Sequence, residues 1–232
     1  MQIQYITAEQ LLDAKPFEAQ VVVCMPAIDP EQAERSAKLM ARRAGAEGLV
    51  LVVYDEQRQG FIKTANLAFR KSVSAHFVYV AQDAFAGRFW LRVALNVLEK
   101  TEKSMLGFND GKWQGQLASF GMVRRDWAEP HYGGDLFCPE YHSHYGDAEL
   151  TLLAKSNDQF CYAPRSVLLE VDWEKEDKLA NDGDKLLFRA RASTLFEGRV
   201  ASASEARIFP GHTHGKQAAP SPASAAALAP QG

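Results

Sequence analysis

The sequence predicts an α/β fold, with a mostly parallel β-sheet flanked by helices in a single domain. Continuous apolar runs of strand length recur at 20–28, 48–56 and 76–84, and amphipathic helix patterns separate them at 31–45 and 60–72. Strands that are apolar at every position are typical of parallel sheets covered by helices on both faces. The composition, with 47% hydrophobic and 24% charged residues, is that of an ordinary globular domain.

Local signals support each element in turn. Asp29 and Pro30 match the N-cap and the first position of the first helix, and Gly45 matches its end. The segment 87–100 repeats apolar residues at helical spacing. The later predicted elements are short strands around a loop at 110–111, a helix over 147–156, a pair of strands over 159–173 and a C-terminal helix over 182–193. We expect the domain to span 1–210, and the Ala/Pro/Ser-rich tail at 211–232 to be disordered.

Charge and cysteine content argue against several classes of function. The formal net charge of −3 provides no general basic surface, so we expect no nucleic acid partner. The three cysteines are far apart and form no CxxC pair, which favours a reducing, cytoplasmic location. The apolar runs are too short to cross a bilayer, so no transmembrane segment is expected. Peripheral contact with a membrane is compatible with this sequence.

Polar residues and a proline stand where the three predicted strands end. Pro26 closes the first strand, Asp55 follows the second, and Gln82 and Asp83 follow the third. In open parallel sheets, ligands bind outside the carboxyl ends of the strands. We therefore expect these residues to line one binding edge.

A series of motifs between about 20 and 165 resembles the core of the family 2 glycosyltransferases, which have the GT-A fold. The series comprises the strand ending at Pro26, the acid Asp55, the pair Ala65-Asn66 on the next helix, Asp83 after the third strand, and the segments GKWQGQLASFGMVRRDW and HYGDAELTLLAKS. The resemblance implies transfer of one sugar, with inversion, from a UDP- or GDP-linked donor to a hydroxyl of a glycan, lipid or protein acceptor. No room remains for a long acceptor domain, which argues against processive polymer synthesis.

The resemblance also implies roles for individual residues. Its nucleotide contacts fall on Pro26, Asp55, Asn66 and Gln82. Its metal ligand, for Mn²⁺ or Mg²⁺ on the diphosphate, falls on Asp83. Aromatic side chains suit sugar rings, whose C–H edges are apolar, so Trp113 and Tyr145 are expected to contact the acceptor.

The segment HSHYGDAEL at 142–150 admits three interpretations. The resemblance makes Asp147 the general base that removes the proton of the acceptor hydroxyl. An aspartate before an apolar helix also suits an N-cap. A third interpretation is a metal-dependent hydrolase, because His142 and His144 alternate on an extended segment and Asp147 could complete a three-ligand zinc site.

One departure from the family pattern bears on activity. The position before Asp83 is Gln82, where the family usually has a further acid, so the predicted metal site has a single carboxylate. A metal can still bind to one carboxylate together with phosphate oxygens and water. The loss also favours an alternative function, a catalytically inactive module that binds a nucleotide or a partner.

Overall fold

The structure, a computed structural model, describes residues 1–171 and 182–201. Its strands are β1 (Gln2–Thr7), β2 (Phe17–Glu18), β3 (Val21–Ala27), β4 (Leu49–Tyr54), β5 (Ser72–Val73), β6 (His76–Tyr79), β7 (Ala84–Ala86), β8 (Met105–Asn109), β9 (Gly121–Arg124) and β10 (Phe160–Glu170). Its helices are α1 (Ala8–Asp13), α2 (Pro30–Arg43), α3 (Phe61–Arg70), α4 (Trp90–Thr101), α5 (Arg125–Ala128), α6 (Gly146–Ser156), α7 (Asp182–Ser193) and α8 (Leu195–Gly198). The predicted domain end at 210 and the predicted disordered tail lie outside the described residues.

An eight-stranded sheet organises these elements in the order β1-β4-β3-β6-β9-β8-β10-β7. The pairs β1–β4, β4–β3, β3–β6 and β8–β10 are parallel, and the other three are antiparallel. The predicted mostly parallel α/β fold is confirmed. Because β4, β3 and β6 are parallel neighbours, the segments that follow them meet at one edge of the sheet.

The two faces of the sheet bury different helices. One face packs α3, α6 and α7 through side chains that include Ala65, Phe69, Leu153 and Phe188. The other packs α2 and α4 through Ala37, Met40, Trp90 and Leu98. Every residue of β3 is buried, as its continuous apolar sequence predicted. No helix in the two described ranges has the length and apolar character needed to cross a membrane.

The predicted start of the first helix is confirmed. Pro30 is its first residue, and the carboxylate of Asp29 accepts the N–H of Gln32 at 3.1 Å. A proline at this position sacrifices no helical hydrogen bond, because its nitrogen belongs to the first turn. The helix itself ends at Arg43, ahead of Gly45.

Three predictions about the strands were wrong in detail. The third apolar run is divided between β6 and the separate strand β7. The predicted strand pair over 159–173 is one strand, β10, with a register shift between Ala163 and Val167 that lets it pair with β8 and then with β7. The edge strand β1 and helix α1 were not predicted, because QIQYIT mixes polar and apolar residues.

Candidate active site

The loop after β4 is folded around Asp55. Both oxygens of its buried carboxylate accept backbone N–H groups of the same loop, from Gln59 and from Gly60, each at 2.9 Å. Gly60 has a φ of 102°, and an added Cβ there would meet the imidazole of His142 at 2.8 Å. Asp55 therefore fixes the conformation of the predicted nucleotide-binding loop through hydrogen bonds to its backbone. Each carboxylate oxygen keeps a second lone pair for a ligand.

Gln82 connects the segments that follow β3 and β6. Its Oε1 accepts the N–H groups of Ile28 at 2.7 Å and Asp29 at 3.0 Å, and its Nε2 donates to Gln32 at 2.8 Å. An amide can both accept and donate, whereas an ionised carboxylate only accepts. The residue that replaces the family's acid thus has a structural role between the two segments.

Pro26 lies inside β3, beyond the last residue of that strand that pairs with β6. The β3–β6 register ends at the pair Cys24–Tyr79, while Pro26 still pairs with Val53 of β4. A proline lacks a backbone donor and is tolerated where a neighbouring strand has ended. Its contact with a nucleotide stays a prediction.

Asp83 lines a groove of about 590 Å³ between α2 and β7, and it is 5% exposed. The basic side chains of α2 along this groove are Arg35, Lys38 and Arg42. Because the Gln82 oxygen is already bonded to two N–H groups, Asp83 is the carboxylate that the segment after β6 offers a metal. This donor set fits Mn²⁺ or Mg²⁺ held largely by phosphate oxygens and water.

Asn66 joins α3 to the loop before α6. Its Nδ2 donates to the carbonyl of Phe137 at 3.0 Å, and its Oδ1 accepts the N–H of the same residue at 2.9 Å. The side chain also lines a second cavity of about 380 Å³ with Gln59 and Lys63. This paired amide contact is a structural role in addition to the predicted nucleotide contact.

The loop 142–146 is held by the carboxylate of Asp184, from the first turn of α7. The backbone N–H groups of three consecutive residues point at it, from His142 at 2.8 Å, Ser143 at 2.9 Å and His144 at 2.9 Å. The carbonyl of His142 in turn accepts the N–H of Ile62 in α3 at 3.1 Å. The loop therefore connects the start of α3 with the start of α6 and is fixed by a residue 40 positions away.

Asp147 is the second residue of α6, so the N-cap interpretation is wrong. The N-cap is Tyr145, in a left-handed conformation with φ 68° and without a side-chain cap. Asp147 is half-buried, and burial raises the pKa of its carboxyl to about 7. Nearby backbone N–H groups lower this pKa, and the negative charges of Glu170 and Asp110 add to the increase.

Asp147 interacts electrostatically with residues of strands that border the predicted donor edge. Its charge raises the pKa of Tyr79, the last residue of β6, in addition to the larger effect of burial. Glu170, which acts on Asp147, pairs in register with Ala84, the residue after Asp83. Asp110 is buried and accepts the N–H groups of Lys112 and Trp113, each at 2.8 Å. A carboxyl with a pKa of about 7 thus interacts with Glu170, whose strand pairs with β7 directly after Asp83.

Glu149, one turn into α6, is fully buried and binds several side chains at once, so it has no access to a ligand. It accepts the hydroxyls of Tyr132 at 2.7 Å and Tyr141 at 2.8 Å. Two nitrogens of Arg191 bind its two oxygens at 2.8 Å each, and Arg199 adds a bond at 3.2 Å. These contacts fasten the C-terminal helices to the core.

Trp113 and Tyr145, the two aromatic residues predicted to contact the acceptor, both contact other groups of the protein. The ring of Tyr145 packs against Phe188 of α7 at 5.1 Å between centroids. Trp113 is half-buried against the core, with the ammonium group of Lys112 5.4 Å from its ring. Each keeps part of its surface exposed, so acceptor contact remains a prediction.

The histidines of 142–150 do not form a metal site with Asp147. Both side chains are exposed, and their backbone N–H groups bind Asp184. Within 1–171 and 182–201, no group of three or more His, Cys, Asp or Glu side chains could hold a metal ion. The zinc hydrolase interpretation therefore has no support in the geometry.

Comparison with known proteins identifies the fold. A scan against protein-family models and a search of curated proteins found no match. Among solved structures, TarS 1–349 of S. aureus has a TM-score of 0.58 at 12% identity, over 82% of this chain and 69% of that one. The mannosyltransferase PcManGT of Pyrobaculum calidifontis, solved with GDP-Man and Mn²⁺, has a TM-score of 0.52 at 14% identity, over 81% and 67%.

A third similar structure is glucosyl-3-phosphoglycerate synthase of Mycobacterium tuberculosis, solved with Mn²⁺, UDP and glucosyl-3-phosphoglycerate. Its TM-score is 0.54 at 10% identity, over 80% of this chain and 82% of that one. The chain has the GT-A fold. In this GT-A domain, Asp55, Gln82 and Asp83 follow the parallel strands β4 and β6, and Pro26 is the last residue but one of β3.

Sequence reasoning missed the residues that organise this edge from elsewhere in the chain. Asp184, Glu149 and Arg191 are ordinary charged helix residues in sequence, and their partners are about 40 positions away. Asp110 was noted only as part of a loop. The one available signal was its Asp-Gly turn, in which an aspartate side chain commonly accepts N–H groups two and three residues on.

Proposed function

We propose that this chain transfers a single sugar from a nucleotide-sugar donor to an acceptor hydroxyl, with inversion at the anomeric carbon. The GT-A fold supports transferase chemistry, because solved structures of this fold hold UDP-GlcNAc, UDP or GDP-Man. Fold alone does not fix function, so the proposal depends on the site. The observation that carries it is the half-buried carboxyl of Asp147, with a pKa of about 7 that is raised in part by Glu170, the residue that pairs with Ala84 next to Asp83.

In the proposed reaction, Asp147 takes the proton of the acceptor hydroxyl as the oxygen forms a bond to the anomeric carbon. The bond from that carbon to the nucleoside diphosphate breaks, and the diphosphate leaves with the electron pair. A base with a pKa near the working pH is the most effective, because it is ionised often enough and still binds a proton strongly. Position near the start of α6 further favours its ionised form through the helix dipole.

The donor is proposed to lie along the edge formed by Pro26, Asp55, Asn66 and Gln82. Asp55 has spare lone pairs toward a base or ribose, Gln82 has one spare amide N–H, and both side chains are fixed by bonds within the protein. Asp83 would hold Mn²⁺ or Mg²⁺ together with the diphosphate, and the metal would neutralise the charge that develops on the leaving group. Trp113 and Tyr145 are proposed to contact the acceptor.

A second candidate function is favoured by Gln82. Its oxygen and nitrogen bind Ile28, Asp29 and Gln32, so it does not supply the second metal ligand that the family's acid would provide. A GT-A module of this kind could bind a nucleotide without turning it over. Donor cleavage distinguishes the two functions.

A thermal-shift screen with UDP and GDP, with and without Mn²⁺, tests the donor site. A ligand that binds only the folded state stabilises it by about 2.7 kcal/mol at a concentration one hundredfold above Kd. We expect a metal-dependent rise in Tm that is lost in Asp83→Ala and kept in Asp13→Ala, an exposed aspartate at the end of α1. No rise with either nucleotide in any condition would contradict the donor assignment.

Release of nucleoside diphosphate from UDP- and GDP-sugars then separates enzyme from binding module. We expect release by the wild type and loss of release in Asp147→Asn, with the nucleotide-induced rise in Tm unchanged in that variant. Nucleotide binding that needs no metal and leads to no release would instead support the binding module.

A further inference from the structure

Four arginines and two phenylalanines form one continuous surface where the end of α2 meets β7 and the start of α4. This arginine–phenylalanine face consists of Arg42, Arg43, Phe85, Arg88, Phe89 and Arg92. The N–H of Phe89 donates to the carbonyl of Arg43 at 2.6 Å, and that of Arg92 donates to Ala44 at 3.1 Å. The guanidinium of Arg43 donates to the carbonyl of Ala86 at 2.8 Å. Direct bonds therefore hold the two segments of the face together.

The two aromatic rings of the face are large apolar groups left in water. Phe85 is 42% exposed and Phe89 is 48% exposed. A guanidinium lies against each ring, with Arg43 at 5.1 Å from the centroid of Phe85 and Arg92 at 4.2 Å from that of Phe89. The face thus combines exposed apolar surface and positive charge within a few ångströms.

Phe89 adopts a backbone conformation that its side chain does not favour. It is the N-cap of α4 with φ 60° and ψ 22°, and it makes no side-chain cap bond. A bulky residue in this left-handed region is unusual, and asparagine or serine would serve better as a cap. Gly45 leaves room for it, since an added Cβ there would meet the Phe89 ring at 2.8 Å. Neither capping nor burial in the core explains a phenylalanine here.

Among the described residues, the charge of the face is not neutralised by neighbouring carboxylates. The segments 41–48 and 84–92 contain four arginines and one acid, Glu47, in a chain whose net charge is −3. Within the described ranges, Arg42, Arg88 and Arg92 form no ion pair with a carboxylate. Nearer the start of α2, by contrast, basic residues pair with acids one turn away, Arg35 with Glu31 and Lys38 with Glu34.

We propose that the arginine–phenylalanine face docks on a membrane surface rich in anionic phospholipid. The guanidinium groups would bind lipid phosphates, and the two rings would enter the boundary between headgroups and acyl chains. A partner that offered negative charge alone would leave both rings in water. This inference does not depend on the proposed transferase reaction, although Arg42 and Phe85 also line the groove that contains Asp83.

Co-sedimentation of the full chain with vesicles tests it. Vesicles of phosphatidylcholine with about one third phosphatidylglycerol should bind the protein at low salt, and pure phosphatidylcholine vesicles should not. Each arginine near an anionic surface is worth roughly fivefold in partitioning, so Arg88→Glu with Arg92→Glu should weaken binding by about 30-fold or more. Phe89→Asn suits the left-handed conformation, removes the ring, and should weaken binding several-fold.

The matched control is Lys15→Glu with Lys112→Glu, which changes the net charge equally at exposed positions outside the face. It should bind vesicles like the wild type apart from a small loss due to net charge. Absence of binding to phosphatidylglycerol vesicles, or equal losses in the face variant and the control, would overturn the proposal. So would retention of the protein on heparin without any binding to vesicles, because that result would identify a polyanion as the partner.

Discussion

At the scale of single residues, Asp147 is subject to two opposing requirements. To act as the proposed base it must lose a proton, but burial and the charges of Glu170 and Asp110 favour its protonated form. A folded pKa of about 7 lies above that of an unfolded aspartate, near 4. The folded state therefore binds the proton more tightly, and the stability contributed by this group is present below about pH 4 and lost as pH rises through 7.

The variant Asp147→Asn tests both consequences of that pKa. In the wild type, kcat should rise with pH and level off above about 7, because the ionised base is the active form. The variant should lose about 10²- to 10⁴-fold in kcat, the usual contribution of a general base, with donor binding unchanged. Urea denaturation should show that raising the pH from 4 to 8 destabilises the wild type relative to the variant.

The control for this prediction is Asp13→Asn, whose side chain is exposed on α1. It should match the wild type in both kcat and the pH dependence of stability. A normal pH–rate profile in Asp147→Asn would show that another group is the base.

Single residues were predictable where their partners are close in sequence. The cap bond of Asp29 reaches Gln32, three residues on, so the local pattern was sufficient to predict it. The contacts of Gln82 could not be predicted in this way, because its oxygen binds N–H groups 53 and 54 positions away. The sequence revealed that an acid was missing there, but it held no sign of what the amide does instead.

At the scale of elements, the loop 142–146 owes its conformation to α7. Three consecutive N–H groups converge on Asp184, and this places His142 against α3 and Tyr145 at the head of α6. A charged acceptor bound by several N–H groups gives stronger bonds than a neutral one. The position of Asp147 at the start of α6 thus depends on a residue that does not belong to the proposed site.

Asp184→Ala should loosen the loop while leaving the donor edge intact. Removing a charged acceptor from buried donors should cost about 1–3 kcal/mol of unfolding free energy. Hydrogen exchange of the amides of 142–144 should accelerate, and kcat should fall more than donor binding weakens. The matched control is Asp182→Ala, an exposed acid in the same helical turn, which should change neither. Unchanged exchange at 142–144 would contradict this role.

Both α6 and α7 were predicted from sequence, but their contact was not. Each helix shows its own apolar spacing and starts with acids, which suit any helix N-terminus. Nothing in the sequence of either segment distinguishes Asp184, which accepts three N–H groups of the loop, from Asp182, which is exposed. Strand β10 posed a related problem, since its register shift between Ala163 and Val167 follows from pairing with two different strands.

At the scale of the whole molecule, the C-terminal helices are joined to the core by one buried ionic cluster. Glu149 is 0% exposed and binds Arg191 through both of its oxygens, with Arg199 and two tyrosine hydroxyls completing its shell. A buried carboxylate is costly unless it is fully paired. The cluster therefore depends on every partner.

Arg191→Met should lower the unfolding free energy by about 3 kcal/mol, because it leaves a buried charge partly uncompensated. The measurement is chemical denaturation at pH 7. The control is Arg189→Met, an exposed arginine two residues earlier in α7, which should change stability by about 0.5 kcal/mol or less. Equal effects in the two variants would show that the cluster does not fasten the helix.

The architecture as a whole was the part that the sequence predicted best. Apolar strands at 20–28 and 48–56 have to be covered on both faces, and this requirement alone implies a parallel sheet with intervening helices. The edge strand β1 escaped prediction because only one of its sides is paired, so its residues stay partly exposed and partly polar. The pattern of apolar and polar residues in a sequence reflects burial, so it predicts a strand less clearly where the strand is only partly buried.

The dependence of loop 142–146 and Glu149 on residues 184–199 has a consequence for the order of events during translation. A nascent chain that has emerged only as far as β10 already contains all eight strands that the structure describes in the central sheet. It does not yet contain the carboxylate that binds three amides of the loop, or the two guanidinium groups that compensate Glu149. The ribosome therefore delivers the scaffold first, and the proposed site gains its final shape only when the last helices are released.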